Sequence, residues 1–459
     1  MSIDSAPTYT LRSELRPMLR LAWPLAVGEM GWMLMTIVDT IMVGRMRNSA
    51  LAIGATSLGG GIFYTVSIFA GGMLLGLDTL VSQAHGRKDT PDANHSLLQA
   101  LYMVIVLSPI AMFLVGLGPT FLTRFGIAPD LVAQTALYLN ALNWSVPPLL
   151  CYFAFRRYLQ AFNHVGIVMF GLLSANLINL GGNYILIYGH LGFPAMGVAG
   201  SGWATVWARV YLLVVLLAGL AYYARRDSLH LTKSVCAPDF ARIAHLLRLG
   251  APVAFQIAAE IGVFSVAAIF AGKLGPLPLS AHQVAINCAA FAYMVPLGVS
   301  SAAAVRVGQA IGRGRPQQAR RAGHAAMLLG CGFMSLAAIV FLAAPYYCAR
   351  IFTPNPAIIA ASRPLLYICA AWAFFDGLQI VATGALRGLG DTRTPMLANI
   401  LIYWFLGLPL GVLLCFRFHL GVLGLWVGLC LALIIIGSAL FAIWERSPQF
   451  ALRTIPSSP

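Results

Sequence analysis

The feature that most constrains this chain is the recurrence of long apolar runs. Twelve stretches of 18 or more residues are dominated by apolar and small side chains, at approximately 20–44, 55–83, 96–119, 131–155, 165–189, 196–223, 248–272, 279–306, 322–345, 358–384, 394–416 and 421–444. As a helix, even the shortest of these runs, at 394–416, extends about 35 Å, enough to cross the roughly 30 Å of a bilayer core. A backbone in lipid must also satisfy its own hydrogen bonds. The predicted fold class is therefore an all-α polytopic membrane protein with twelve transmembrane helices. Composition agrees: 59% of residues are apolar and only 9% charged, against about 25% charged in a soluble chain. No hydrophilic stretch exceeds about 25 residues, which leaves no room for a separate catalytic or nucleotide-binding domain. The sole Gly-Lys, Gly272-Lys273, is followed by Leu274, so the chain holds no G-x-x-x-x-G-K-[ST] phosphate loop.

The ends are assigned by charge. With twelve spans both termini share one side. Of 29 Lys and Arg, 21 fall on that side, 7 fall on the other, and Arg209 lies inside the sixth span. The rich side holds Arg12, Arg16, Arg20, Arg87, Lys88, Arg156, Arg157, Arg225, Arg226, Arg313, Arg315, Arg320 and Arg321. The positive-inside rule then predicts both termini in the cytoplasm. The net charge of +15 is read as topology and attraction to anionic lipid, with no nucleic-acid partner. The first twenty residues are polar, and the first apolar run is too long for the core of a signal peptide. Of the eight cysteines, Cys151, Cys288, Cys331, Cys369, Cys415 and Cys430 sit in apolar runs, Cys348 near a helix end and Cys236 in a basic loop. They show no metal-ligand spacing and read as small core residues.

The chain repeats itself at about 224–228 residues. Arg20-Leu-Ala-Trp-Pro24 returns as Arg248-Leu-Gly-Ala-Pro252, and Gly44-Arg45 as Gly272-Lys273. Gln83-Ala-His-Gly-Arg87 returns as Gln309-Ala-Ile-Gly-Arg313, and Gly197-Val-Ala-Gly200 as Gly421-Val-Leu-Gly424. Six helices per repeat is an even number, so the expected arrangement is two six-helix lobes related by a pseudo-twofold along the membrane normal, as in some transporters. The expected division is an N-terminal lobe 1–223, a cytoplasmic linker 224–247 and a C-terminal lobe 248–459.

Ionisable residues at membrane depth then mark function. Glu260 falls near the middle of the seventh span, where an ionised acid costs roughly 2.5–3.5 kcal/mol even on lenient scales. Asp376 lies well inside the tenth. No buried Lys or Arg is evident in the second half to neutralise them, so a mobile cation is expected to complete the pair. Two carboxylates sharing a site cannot both stay ionised, which favours holding a proton or Na⁺ there, and an organic cation would compete for the same charge. Phe264, Trp372, Phe375 and Tyr293 stand nearby, with Phe255 and Tyr403 on neighbouring segments. Aromatic walls beside a carboxylate suit flat lipophilic cations. In the first half, Glu29 and Asp39 are ten positions apart on one helix, about 80° around it, and can line one cavity without touching. Asn179 and Asn183 share a face of the fifth span and need partners at depth, Thr205 offers another oxygen, and Asp78 reads as a pin for a neighbouring helix or cytoplasmic loop.

These residues resemble a known family, the multidrug and toxic compound extrusion (MATE) transporters, and within it the bacterial NorM-like branch. The markers are Val38-Asp-Thr-Ile-Met-Val-Gly44, Gly76-Leu-Asp-Thr-Leu-Val-Ser-Gln-Ala-His-Gly86, Pro252 with Glu260 eight residues on, and Gly384-Ala-Leu-Arg-Gly-Leu-Gly-Asp391. The resemblance implies a multidrug efflux antiporter of the bacterial inner membrane, not an enzyme, that exports lipophilic organic cations in exchange for H⁺ or Na⁺ by alternating access. It also implies that Glu260 and Asp376 bind the coupling cation, with Asp39, Asn179, Asn183 and Thr205 as the companion set in the N-terminal lobe. Glu29, Phe264, Trp372, Phe375 and Tyr293 are expected along the substrate cavity, with Na⁺ at Glu260 and Asp376 the one metal option and no other cofactor. The expected partners are small-molecule drugs and the lipid bilayer, and a monomer is expected. Two departures matter: Asn183 stands where the family often has Asp, which weakens a cation site in the N-terminal lobe, and Trp372, with no oxygen to donate, stands where NorM-like members often have Tyr, which tilts the expectation from Na⁺ toward protons.

Three rivals are weighed. A lipid-linked oligosaccharide flippase of related architecture would show extra helices or a strongly cationic lumen. A major-facilitator transporter would show a Gly-x-x-x-Asp-Arg-type loop after the second helix, which Gly86-Arg-Lys-Asp89 is not. A membrane enzyme would need a nucleophile–base pair or a metal cluster at depth. None of the nine His falls in the middle of a span, His282 coming closest.

Overall fold

The computed structural model describes residues 11–46, 48–226 and 237–450. Residues 227–236 of the expected linker, Cys236 among them, lie outside the described residues. Among the described residues the chain is helical, with no strand. It divides into two compact units, 27–254 (the N-unit) and 11–26 together with 255–450 (the C-unit). The divisions fall inside α1 (Leu11–Val43) and α10 (Phe240–Lys273), two residues past Pro24 and Pro252, each of which removes a donor from its helix ladder. A cut at the basic linker keeps both helices whole, whereas their packing gives the opening segment of each to the other unit.

Besides its part of α1, the N-unit holds α2 (Ser49–Met73), α3 (Gly76–Gly86), α4 (Thr90–Gly116), α5 (Gly118–Arg124) and α6 (Pro129–Asn143). It continues through α7 (Val146–Ala161), α8 (Val165–Tyr188), α9 (Val198–Arg226) and the start of α10. The C-unit continues through α11 (Pro276–Gly312), α12 (Pro316–Ala343), α13 (Pro345–Arg350) and α14 (Pro356–Leu389). It closes with α15 (Arg393–Ile402), α16 (Leu408–Val412) and α17 (Val422–Glu445). Proline at the first or second position opens α4, α6, α11, α12 and α14, where its missing N–H would have been unpaired anyway. The Asp89 side chain caps α4 by accepting from Asp92 N at 3.0 Å, and the Asn355 side chain caps α14 by accepting from Ala357 N at 2.9 Å.

Among the described residues, eleven helices are long and apolar enough to cross a membrane. The expected span at 131–155 is the exception: α6 and α7 meet at Trp144 and Ser145. Pro147 and Pro148 supply no N–H for the carbonyls of Asn143 and Trp144, so one continuous helix gives way to two shorter ones. The span expected at 394–416 is continuous but uneven. Around Pro409 it widens into π-helical turns at Tyr403–Gly407 and Leu413–Arg417. It also packs backbone to backbone on α17: a β-carbon placed on Gly428 would lie 2.4 Å from Gly411 N and 2.6 Å from Gly407 O. Small residues at i, i+4 on both partners permit that approach where lipid offers no hydrophobic drive. The seven described cysteines are free, and Cys288, Cys331, Cys369, Cys415 and Cys430 are buried.

Candidate functional site

In the C-unit, α10 carries Glu260 and α14 carries Asp376 into one polar cluster. Asp376 is 8% exposed and Glu260 is half-buried, and each lies within the other's electrostatic reach. Gln379, one turn past Asp376, faces the Glu260 carboxylate. Its amide nitrogen donates to Asn399 Oδ1 at 2.8 Å and its oxygen accepts from the Tyr403 hydroxyl at 3.5 Å. Tyr403 heads the π-turn, and the next residue, Trp404, donates its indole N–H to Ala259 O at 3.1 Å, tying this span to α10 beside Glu260. Tyr293 of α11 shares the field of both acids and of Tyr403. No ion pair joins Glu260 or Asp376 to a basic side chain among the described residues.

The aromatic wall is continuous. Phe264 sits edge-on to Trp372 (ring centroids 6.5 Å apart) and to Tyr403 (6.2 Å). Trp372 stacks on Trp426 at 4.8 Å and 15°, and Trp426 is fixed by donating its indole N–H to His282 Nδ1 at 3.0 Å. Phe375 pairs instead with Phe374 and lies against Gly437 of α17, and Phe255 is exposed.

In the N-unit, Asp39 of α1 gathers its expected companions. Its carboxylate accepts from Asn183 Nδ2 at 2.6 Å and from the Thr205 hydroxyl at 3.3 Å. Asn183 also donates to Asn179 Oδ1 at 3.2 Å, and Asn179 Nδ2 lies 3.5 Å from Thr205 Oγ1. Glu29 is not in that cluster. It accepts from Arg156 Nη2, a buried guanidinium that also bonds the Tyr152 hydroxyl at 3.3 Å. Asp78 is pinned by Arg157 Nη1 at 3.4 Å.

The structure thus joins Glu260 with Asp376, and Asp39 with Asn179, Asn183 and Thr205. It gives Glu29 a fixed counter-charge. Sequence reasoning passed over Gln379, Asn399 and the depth of Arg156. Gln379 was findable, since i+3 from Asp376 places it on the same face, and Asn399 is the lone amide of its apolar run. Arg156 looked like one more basic residue at a cytoplasmic helix end.

Known proteins identify the family to which this fold belongs. The MatE family profile matches twice, over residues 24–185 and 252–413, each copy opening on one of the α1 and α10 prolines. The chain is 35% identical over 453 residues to a probable multidrug resistance protein NorM of Mesorhizobium japonicum, covering 97% of each chain. It is 32% identical over 432 residues to the multidrug resistance protein PmpM of Pseudomonas aeruginosa, covering 92% of this chain and 89% of that one. Among solved structures, the eukaryotic MATE transporter AtDTX14 superposes with TM-score 0.82 at 20% identity, covering 96% of this chain and 97% of that one. A mutant of the Vibrio cholerae MATE transporter VcmN superposes with TM-score 0.84 at 16% identity, covering 95% and 97%. With both repeats matched, the fold shared and a third of its residues identical to curated relatives over nearly its whole length, the chain is a multi-pass membrane protein of the MatE family, a NorM-like MATE transporter.

Proposed function

We propose that the chain is a multidrug efflux antiporter that exports lipophilic organic cations in exchange for H⁺ or Na⁺. The observation that carries this is the Glu260–Asp376 pair: two acids at membrane depth in one cluster, bordered by Phe264, Trp372 and Tyr403, with no basic side chain paired to either among the described residues. A site of that kind is balanced by a mobile cation, and a proton or Na⁺ and a bulky organic cation exclude one another from it. Competition for one site makes each ligand's binding the condition for the other's release. The relatives named as multidrug resistance proteins support the same reading.

The ion is read as a proton. The residue one turn before Asp376 is Trp372, held against Trp426 and without an oxygen for Na⁺. The Asn399 carbonyl beside the cluster is engaged by Gln379. Asp39 with Asn179, Asn183 and Thr205 forms a second acid station in the N-unit. The bacterial inner membrane, cytoplasmic termini and a monomeric state complete the proposal, the orientation resting on the Lys and Arg bias. The test is ethidium transport by proteoliposomes under an imposed pH gradient and, separately, an imposed Na⁺ gradient. Transport driven by the pH gradient alone is expected, and transport indifferent to both gradients overturns the antiport reading.

A further inference from the structure

His282 has no part in the cycle above, yet it ends the row of rings that backs the acid pair. It lies in the second turn of α11 and is 1% exposed. The row runs from Phe264 of α10, one turn past Glu260, to Trp372 of α14, one turn before Asp376, and on to Trp426 of α17. Phe264 is partly exposed, and Trp372 and Trp426 are buried behind it. The imidazole stands edge-on to Trp426, ring centroids 5.6 Å apart at 72°, with Nδ1 3.0 Å from the indole nitrogen.

That contact fixes the state of the imidazole. An indole N–H donates and cannot accept, so Nδ1 offers its lone pair and the ring proton sits on Nε2. An imidazolium has no lone pair on either nitrogen and would leave the buried Trp426 N–H without its acceptor. His282 thus anchors the row without adding a positive charge to a site for cations. Because a buried indole N–H needs its acceptor, His282 sets where Trp426 lies. The stack at 4.8 Å and 15° passes that position to Trp372, and Trp372 supports Phe264 edge-on. Rings held in advance spare a flat ligand the entropy of ordering them. A ligand whose own rings are splayed gains less from a fixed flat wall.

We propose that His282 is a positioning residue of the efflux site, which holds the Phe264 wall in place through Trp426 and Trp372 and thereby favours planar aromatic cations as substrates. This deepens the antiport reading above and rests on it. The experiment measures KM and kcat in proteoliposomes under an imposed pH gradient for two cations, planar ethidium and tetraphenylphosphonium, whose rings are splayed. His282→Leu is expected to raise the ethidium KM about tenfold, the scale of one lost aromatic contact, with kcat and the tetraphenylphosphonium KM close to native. His282→Asn, whose Oδ1 can accept from Trp426 in place of Nδ1, is expected to restore the ethidium KM. Trp426→Phe keeps a stacking ring but loses the donor; it is expected to match His282→Leu, and the double substitution to add little. A native ethidium KM in His282→Leu, equal losses for the two cations, or no recovery in His282→Asn overturns the inference. Should His282→Leu fail to fold, Trp426→Phe carries the test, and a native ethidium KM there overturns the inference. A native chain that transports neither cation, or both without regard to the gradient, overturns the antiport reading instead.

Discussion

Both units place a carboxylate on the helix that opens their repeat, Asp39 on α1 and Glu260 on α10, and the two are answered in opposite ways. Around Asp39 lie Asn183, Thr205 and, one turn further, Arg209; one helix face away, Glu29 is closed by Arg156. Around Glu260 lie Asp376, Gln379, Asn399 and two tyrosines; buried Arg387 reaches Tyr293, but no basic side chain is ion-paired to either acid among the described residues. The repeat did not carry these acids with it. At the offset separating Pro24 from Pro252, Glu260 stands where the first copy has Trp32, and Asp39 where the second has Ala267. The repeated part is the scaffold: apolar faces, the opening prolines, and the close contacts of small residues. The charge arrangement is particular to each copy, and a carboxylate pair left without a fixed partner is where a mobile cation has a role.

The sharpest way to break this contrast is to remove an acid from the unbalanced side. Glu260→Gln and Asp376→Asn, each near-isosteric, are expected to fold yet abolish ethidium export, reducing resistance to that of cells without the transporter. Because the two acids act as one unit, the double substitution adds little to either single loss. Near-native resistance in either variant removes the C-unit from the mechanism.

On the balanced side the expected effect is on stability. Arg156→Ala strands Glu29, whose side chain is only 12% exposed, and breaking such a pair costs about 3–5 kcal/mol. Replacing both partners, as Glu29→Gln with Arg156→Gln, should recover most of that loss in a detergent unfolding titration. If Arg156→Ala is as stable as the native chain, Glu29 is free to serve a substrate, and the contrast between the units weakens.

A smaller effect is expected at Gln379, which connects Asn399, Tyr403 and Glu260. Gln379→Leu leaves the buried amide and phenol without that partner, a penalty of about 1–3 kcal/mol. Because the same side chain orients Glu260, the pH dependence of export should change along with stability. A change in stability alone makes Gln379 an ordinary core amide.

Much of this was legible in the residues. Apolar runs of spanning length, the basic bias and the four repeated fragments are local patterns, and they carry the helical architecture and the repeat. The grouping of Asp39 with Asn179, Asn183 and Thr205 followed from the family resemblance. What escaped depends on the third dimension. The break at Trp144 and Ser145 hides inside an apolar run because Pro147 and Pro148 are apolar themselves. The π-turns around Pro409 leave the composition of the span untouched. Arg156 was legible as basic but not as buried: charge counting assigns a side of the membrane, and only packing shows that α7 turns this side chain inward to Glu29.

The mildest test concerns the helix openings, where the units differ in burial rather than in charge. The α1 opening is held in the C-unit by Glu14, 3% exposed, which accepts from Arg306 Nη2 at 2.5 Å and from Gln318 Nε2 at 2.8 Å. The α10 opening is held in the N-unit by more exposed acids: Asp92 accepts from Arg242, and Asp239 Oδ2 lies 3.0 Å from His95 Nε2. The hydrogen bond with His95, followed by the backbone N–H of Arg242, holds the Asp239 carboxyl below its ordinary range. A carboxyl depressed in the folded state adds stability above its unfolded value of about 3.9 and loses that contribution as pH falls through the lower folded value. Asp239 is solvent-screened, so Asp239→Asn should lower stability only slightly at neutral pH and flatten the acid limb. Glu14→Gln should lower stability across the neutral range, since it strands a partly buried guanidinium. Equal losses from the two substitutions at neutral pH would mean that burial does not distinguish the two openings.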